Sequence, residues 1–371
     1  MLYRPLFIQK ERSTVWLKLE KRPEASRSMR WLSPLLAVLL TVLSGALLFA
    51  ALGQKPLQGI HAFFIQPISD LYGLSELLLK ATPLMLISMG LAIGFRAGVW
   101  NIGAEGQFIL GAVFATGIAL MVGDRSAFWA MPAIVLAGAC GGALWAAIPA
   151  WLRTRFGTNE ILVSLMLVYV AQLLASWLIY GPWKDPDGYN FPQTRSFGDS
   201  ALLPVLIEGT RLHAGFILAL FVLLAGYVFL QLSMQGFRMH VGGQAPDAAR
   251  YAGFSGKQAI WVGLLAGGAL AGVAGMTEAS GPMGQLTAQI SAGYGFAAII
   301  VAFVGRLHPV GILASSLIMA LFFLGGEQAQ QQLNLPSSIS KVFQGMLLFF
   351  LLASDLFIAY RLRWQGGLQR T

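Results

Sequence analysis

The chain is a series of long apolar runs separated by short polar stretches, with little alternation of apolar and polar positions. Five runs come first, at Trp31–Leu52, Pro83–Phe95, Phe108–Val122, Phe128–Leu152 and Ile161–Tyr180. A long polar stretch, Gly181–Arg211, separates them from five more, at Ala214–Leu232, Ala259–Met276, Tyr294–Val304, Ile312–Leu324 and Val342–Tyr360. A helix crosses the hydrocarbon layer in about 20 apolar residues. The runs therefore predict an all-α fold, a polytopic transmembrane bundle of about ten helices. Several runs fall short of a full span. These predict helices that extend into glycine-rich flanks, or broken helices packed inside protein, because lipid cannot satisfy an open backbone. An odd number of spans on each side of the polar stretch sets the halves in opposite senses, the pattern of a 5+5 inverted repeat.

Composition points to the same solvent. Of 371 residues 56% are hydrophobic and 11% charged, against about 25% charged in a soluble domain. The formal charge is +9, and its placement excludes a nucleic-acid role. Arg4, Lys10, Arg12, Lys18, Lys21, Arg22, Arg27 and Arg30 all precede the first run. Basic residues flanking spans are held in the cytoplasm. Seven of the 25 Lys and Arg residues fall in loops that this orientation puts outside: Lys55, Lys80, Arg125, Lys184, Arg195, Arg211 and Lys341. The bias predicts a multi-pass protein of the inner membrane with both termini cytoplasmic. Residues 1–30 read as a cytoplasmic segment, 31–360 as the membrane domain with an inside loop at 234–258, and 361–371 as a cytoplasmic tail. Trp31–Leu52 is too long for a cleavable signal core and reads as a retained anchor.

Pairs of glycines four apart, Gly138 with Gly142 and Gly268 with Gly272, put smooth stripes on helix faces for close packing. Cys140 is the single cysteine, and His61, His213, His240 and His308 are scattered without metal-ligand spacing. No cofactor is expected.

Four interruptions carry candidate chemistry. Arg96–Gln107 breaks two apolar runs with Asn101, Glu105 and Gln107 and with glycines at 98, 103 and 106. Met276–Ile290 does the same in the second half, with Glu278, Gln285, Gln289 and a Gly281-Pro282 break. Each reads either as a solvated turn or as the wall of a transport route, because short or interrupted helices in both halves mark such routes. The amides of Asn101, Gln107 and Gln285 both donate and accept hydrogen bonds, which suits a neutral hydroxyl-rich solute. Glu105 and Glu278 are expected to cap or tie helices, since a carboxylate at membrane depth needs its own partner. Gly242–Phe254 predicts a helix of about two turns. Pro246 suits its first position, Asp247 its first turn, Asp247 and Arg250 are spaced to pair, and Gly253 ends it. So short a helix needs a docking partner. Gly305–Gly311 is a tight inside turn whose Arg306 and His308 meet a partner or lipid headgroups.

No phosphate-binding loop is present; Gly256-Lys257-Gln258 lacks the hydroxyl residue and the upstream glycine. No nucleophile–base set is visible either, so the chain is not expected to be an enzyme. If ATP powers it, a separate subunit hydrolyses it.

Ala81-Thr82-Pro83, the run Phe95 to Gly111, Thr158 to Leu162, Gly242 to Phe254 and Gly305 to Gly311 resemble, in this order, the nucleoside and simple-sugar branch of the ABC importer permeases, the branched-chain amino acid/ribose-type translocators. The resemblance covers about residues 70–355. Ala245 stands where the family pattern has Asn. It implies a permease pair, homo- or heterodimeric, cytoplasmic ATP-binding subunits and an external solute-binding protein. It makes Pro246–Gly253 the coupling helix, with Pro246, Asp247, Ala249, Arg250, Tyr251 and Gly253, together with Arg306 and His308, as expected contacts to the ATPase. Nucleosides are the expected substrates, with simple sugars next. The alternative class is a stand-alone secondary transporter or channel.

Overall fold

The computed structural model describes residues 17–22 and 26–364. The basic residues Arg4, Lys10, Arg12 and Arg370 lie outside the described residues, as does most of the tail. The chain divides into two compact units, one made of its two ends (up to Ser44 and from Met346), the other of Gly45–Gly345.

In the first unit, β1 (Leu17–Lys21) and β2 (Tyr360–Trp364) form an antiparallel pair with Leu19 opposite Leu362. The apolar-run pattern did not predict it; its sequence cue is the alternation Leu17-Lys18-Leu19-Glu20, too short to stand out beside the long runs. The unit also holds the first part of α1 (Arg27–Ala51) and the last part of α13 (Ile339–Ala359). Ser33 Oγ donates to Asp355 Oδ1 at 2.8 Å between them.

The second unit is a helical bundle. A short helix, α2 (Pro56–Ile60), passes into a π-helical turn at His61–Ile65. Phe63 of that turn is fully buried and stacks on Phe343 at 4.2 Å. Then come α3 (Leu71–Arg96), α4 (Ala104–Val122), α5 (Ala130–Phe156) and α6 (Glu160–Tyr180). Asp70 Oδ1 caps α3 by accepting from Gly73 N at 2.6 Å. Asn159 caps α6, and Gly157 ends α5 in the left-handed region at φ +68°. After the polar stretch α7 (Gly215–Tyr227) continues as a π-helical turn to Leu232, followed by α8 (Met234–Gln244) and α9 (Pro246–Tyr251). The bundle closes with α10 (Gly256–Glu278), extended as a π-helical turn to Met283, α11 (Tyr294–Val304) and α12 (Pro309–Leu333).

Among the described residues nine helices are long and apolar enough to cross a membrane, and α11 is a shorter apolar helix. The expected count of about ten, five on each side of the polar stretch, is met. The protein is an all-α, multi-pass membrane protein.

The bundle is built around α10, which packs on α3, α4 and α5. Its glycines make this possible. A Cβ on Gly272 would come within 2.9 Å of Gly142 N, and one on Gly138 within 2.8 Å of Met276 Cβ. The two glycine pairs read from the sequence face each other, so the backbones themselves touch. Contact this close gains dispersion energy, which drives helix association in lipid. By contrast α5, α6 and α7 present Leu144, Leu173, Trp177 and Leu224 outward, the belt a bilayer requires.

Candidate functional site

Both polar interruptions lie inside the second unit. In the first, α3 stops at Arg96, Gly98 turns the chain at φ +70°, and α4 begins at Ala104. Asn101 and Gln107 close on one another. Asn101 Nδ2 donates to Gln107 Oε1 at 2.8 Å, and Gln107 Nε2 donates to Asn101 Oδ1 at 3.0 Å. Asn101 Oδ1 also accepts from Gly103 N at 3.1 Å. Both side chains are buried, so the pair pins the non-helical link to the first turn of α4. The solvated-turn reading does not hold for these two residues.

Glu105 reaches across to the other half of the chain. Ser291 Oγ donates to its Oε1 at 2.5 Å and Gly295 N to its Oε2 at 2.6 Å. Gly293 N in turn donates to Ser291 Oγ at 3.2 Å. One buried carboxylate of α4 thus caps α11, where the positive end of the helix dipole and its unpaired N–H groups favour an anion. A Cβ on Gly295 would meet the Glu105 carboxylate at 2.8 Å, so glycine is needed there.

The second interruption is open rather than closed. From Gly284 to Gly293 the chain has no helix, and Ala288, Gln289, Ala292 and Phe296 are exposed. The polar stretch lies along its upper part: Thr194 N donates to Leu286 O at 3.0 Å, Phe197 N to Gly284 O at 2.8 Å, and Leu203 N to Ser280 O at 2.8 Å. Gln285 is half-buried and donates to Gln193 Oε1 at 3.3 Å. It shares no hydrogen bond with Asn101 or Gln107 among the described residues. Glu278, at the end of α10, is buried and feels the charges of Lys80, Arg211, Glu76 and Glu327.

Those four residues form two ion pairs that the sequence reading missed. Arg211 Nε donates to Glu76 Oε1 at 3.0 Å, and Lys80 Nζ lies 3.3 Å from Glu327 Oε1. The Glu76 carboxylate holds the Arg211 guanidinium above its ordinary value. Glu76 and Lys80 sit inside an otherwise apolar helix, and that cost was the available signal. His213, two residues on, is buried and accepts from Gly215 N at Nδ1; burial pushes its imidazole down to about 4. A third missed pair joins Arg153 to buried Glu160, whose Oε1 also accepts from Trp100 N at 3.3 Å. Trp100 stacks with Phe303 at 5.8 Å, and Phe303 with Phe95 at 5.3 Å.

The loop 234–258 contains two helices where the sequence predicted one. Ser233 caps α8 by accepting from Gly236 N at 3.0 Å. Pro246 opens α9 and Gly253, at φ +79°, ends its turn, as expected from the sequence. Asp247 and Arg250 do not pair, although their spacing allowed it; no ion pair joins them among the described residues. Ala249 is buried against the subunit and not on the outward face, while Tyr251 is 97% exposed. A helix of two turns leaves its inward residue no route to a partner. α8 rests on the end of α3: a Cβ on Gly243 would overlap the Arg96 carbonyl. Arg96 Nε also donates to Leu307 O at 3.1 Å, in the turn that carries Arg306 and His308. Arg306 and Leu307 are left-handed, at φ +57° and +52°, and His308 Nδ1 caps α12 by accepting from Val310 N at 3.3 Å. Burial and the nearby Arg96 hold His308 below its ordinary value. Arg96 is thus a common support for α8 and for the Arg306–His308 turn, and it directly precedes the link that holds Asn101.

A bundle of spanning helices, broken at polar links in both halves and carrying short helices beneath one end, is the build of a membrane transport subunit. Residues 73–352 match the family described as branched-chain amino acid transport system / permease component, and the chain belongs to that family. It is 35% identical to a glucose ABC transporter permease protein of Haloferax volcanii, over 94% of this chain and 93% of the relative. It is 28% identical to a nucleoside ABC transporter permease protein of Lactococcus lactis subsp. cremoris, over 88% and 92%. Identity is also 28% to a guanosine ABC transporter permease protein of Bacillus subtilis, over 87% and 93%. No solved structure matches the chain.

Proposed function

We propose that this permease carries a neutral, hydroxyl-rich solute, a nucleoside first, inward across the cytoplasmic (inner) membrane as part of an ATP-driven ABC importer. The observation that carries the reading is the start of α11. Its 11 residues rise only about 16 Å, half of the ~30 Å hydrocarbon layer. Its N-terminus is capped by Glu105 from the opposite half and is fed by the non-helical, partly exposed segment 284–293. Irregular backbone at membrane depth is stable only against protein or along a water-filled cavity. This face therefore turns toward a second permease subunit, identical or related, with the aqueous route between the two. Gln285 stands at the outer end of that route. Asn101 and Gln107 stay closed on each other until the link at 97–103 moves.

Membership of the family supports ATP-binding and solute-binding partners. In our reading the ATPase docks on the outward face of α9 at Asp247, Arg250 and Tyr251, with Pro246 and Gly253 shaping the helix and Ala249 seating it. The contact Gly243–Arg96 carries the motion to the Asn101 link and to the Arg306–His308 turn. ATP hydrolysis belongs to the partner, both termini are cytoplasmic, and 31–360 is one membrane domain with 234–258 as its coupling loop.

A second substrate reading, a simple sugar, is favoured by the 35% identity to a relative named for glucose. Proteoliposomes with the assembled transporter and its binding protein decide between them. ATP-dependent uridine or guanosine uptake, unaffected by excess glucose, is expected. Glucose uptake would select the sugar. Uptake driven by an ion gradient with no partner subunit would overturn the importer reading in favour of a secondary transporter.

A further inference from the structure

We propose that Glu278 and Tyr294 recognise two adjacent hydroxyl groups of the solute, beside a cavity at the start of α3 and the end of α12. The inference rests on the importer reading above and names two residues that select the solute within it. The sequence predicts that Glu278 caps or ties helices as Glu105 does, and it does neither. It is 5% exposed, and its carboxylate has no hydrogen bond or ion pair among the described residues. Tyr294 is 1% exposed, and its hydroxyl is buried with no hydrogen-bond partner. Ser280 Oγ, two residues past Glu278, is orphaned in the same way. Unpartnered polar groups in a buried setting destabilise a fold. Neither capping nor packing accounts for three of them at the junction of α10 and α11.

The packing brings the pair together. Glu278 ends α10 where the helix widens into the π-helical turn Ala279–Met283, a distortion frequent at functional sites. One turn earlier α10 backs onto α4, since a Cβ on Gly275 would overlap the Phe108 carbonyl. The Phe108 ring lies 6.0 Å from the Tyr294 ring, and Glu278 is foremost among the charges acting on Tyr294. The other side of the Tyr294 ring meets Phe323 at 5.3 Å. The next residue of α12, Leu324, lines a cavity of about 370 Å³ with Glu76, Arg211, Glu327, Gln328 and Gln331, a volume that suits a small ligand. Glu76 is paired with Arg211 and Glu327 with Lys80. The cavity therefore offers hydrogen bonds to a neutral molecule more than net charge to an ion. The two oxygens of a carboxylate accept from two neighbouring hydroxyls, and a phenol both donates and accepts. The rings of Phe108, Tyr294 and Phe323 supply the apolar surface that a ribose or hexose carries on its C–H face. Tyr294 directly follows the non-helical segment 284–293, so movement of that segment uncovers the pair to a solute in the route.

The test compares a diol with its deoxy analogue in proteoliposomes of the assembled transporter. The binding protein is saturated with each solute in turn, so its own selectivity drops out. The pairs are uridine with 2′,3′-dideoxyuridine and glucose with 2-deoxyglucose; the pair that the parent takes up with ATP tells whether a ribose or a hexose supplies the diol. Glu278→Gln and Tyr294→Phe should each lower the ratio of diol to deoxy uptake at least about tenfold, the scale of hydroxyl recognition lost from a site built for it. Both should melt at or above the parent temperature, because each removes a buried group that has no partner. A structural role predicts the reverse, a lower melting temperature with an unchanged ratio. An unchanged ratio in one variant removes that residue from the site. An unchanged ratio in both overturns the proposal and leaves the importer reading intact, provided that the parent takes up either pair with ATP. No ATP-driven uptake by the parent overturns both.

Discussion

Replacing Glu105 tests whether the two halves are joined as the structure describes. The carboxylate accepts from Ser291 Oγ at 2.5 Å and from Gly295 N at 2.6 Å, and it is buried. A hydrogen bond to a charged group contributes about 1.5–3 kcal/mol. Glu105→Gln keeps the size and one acceptor but points an amide N–H₂ at a donor, so it should cost about 1.5–3 kcal/mol. Glu105→Ala removes both bonds and leaves the Gly295 N–H unpaired at membrane depth, for about 3–6 kcal/mol. The damage should be local, since α11 loses its cap while the glycine contacts of α10 are untouched. Thermal unfolding of purified protein should therefore fall in the order parent, Gln, Ala, with a drop of at least about 3 °C for Ala. Hydrogen exchange should rise in residues 291–297 and not in α3 or α5. Glu208→Gln, in the polar stretch, is the control and should change neither. If Glu105→Ala melts with the parent and residues 291–297 stay equally protected, the cap contributes nothing and the mid-membrane start of α11 needs another explanation.

Four further outcomes are expected. Asn101→Leu or Gln107→Leu leaves the partner amide buried without its pair, and Gln285→Leu removes a polar group from the outer end of the proposed route. Each should lower uptake in proteoliposomes while basal ATP hydrolysis persists, and parent rates in all three would remove these segments from the route. A cysteine at Asn190 in a Cys140→Ser background should react with an impermeant maleimide in intact cells, and one at Tyr251 only after permeabilisation; the reverse pattern inverts the topology. His213 is buried neutral, with its value lowered from 6.5 to about 4. The unfolded chain then binds a proton that the folded chain does not, so stability is full above pH 6.5 and falls as pH drops toward 4. Melting curves should show this loss in the parent and a smaller one in His213→Gln. Gly243→Val should uncouple ATP hydrolysis from transport, because its side chain would push α8 off the Arg96 carbonyl; coupled transport at the parent rate would show that this contact transmits nothing.

Much of the architecture was legible in the sequence because it depends on the solvent and on local geometry. Apolar runs of spanning length have one stable outcome in a bilayer, and they predicted about ten helices, five on each side of Gly181–Arg211. The α9 helix was also local: Pro246 presets its first φ and Gly253 permits the left-handed exit. The glycine pairs marked faces for close approach, although only the fold showed that Gly138 and Gly142 meet Gly268 and Gly272. The site was different, because its contacts join residues far apart in the chain. Glu105 caps a helix that begins at residue 294, Glu76 pairs with Arg211, and Glu160 holds the Trp100 amide. No periodicity encodes such pairings; they exist because packing brings distant segments together around buried carboxylates that need partners. Asn101 and Gln107 were visible as polar residues in an apolar setting, and their mutual closure was not. The direction of a side chain such as Ala249 is set by how α9 packs against α8, a tertiary quantity. The sequence determined which segments enter the membrane and where they break. The tertiary structure alone decided which polar groups satisfy one another at those breaks, and which remain open to a partner or a solute.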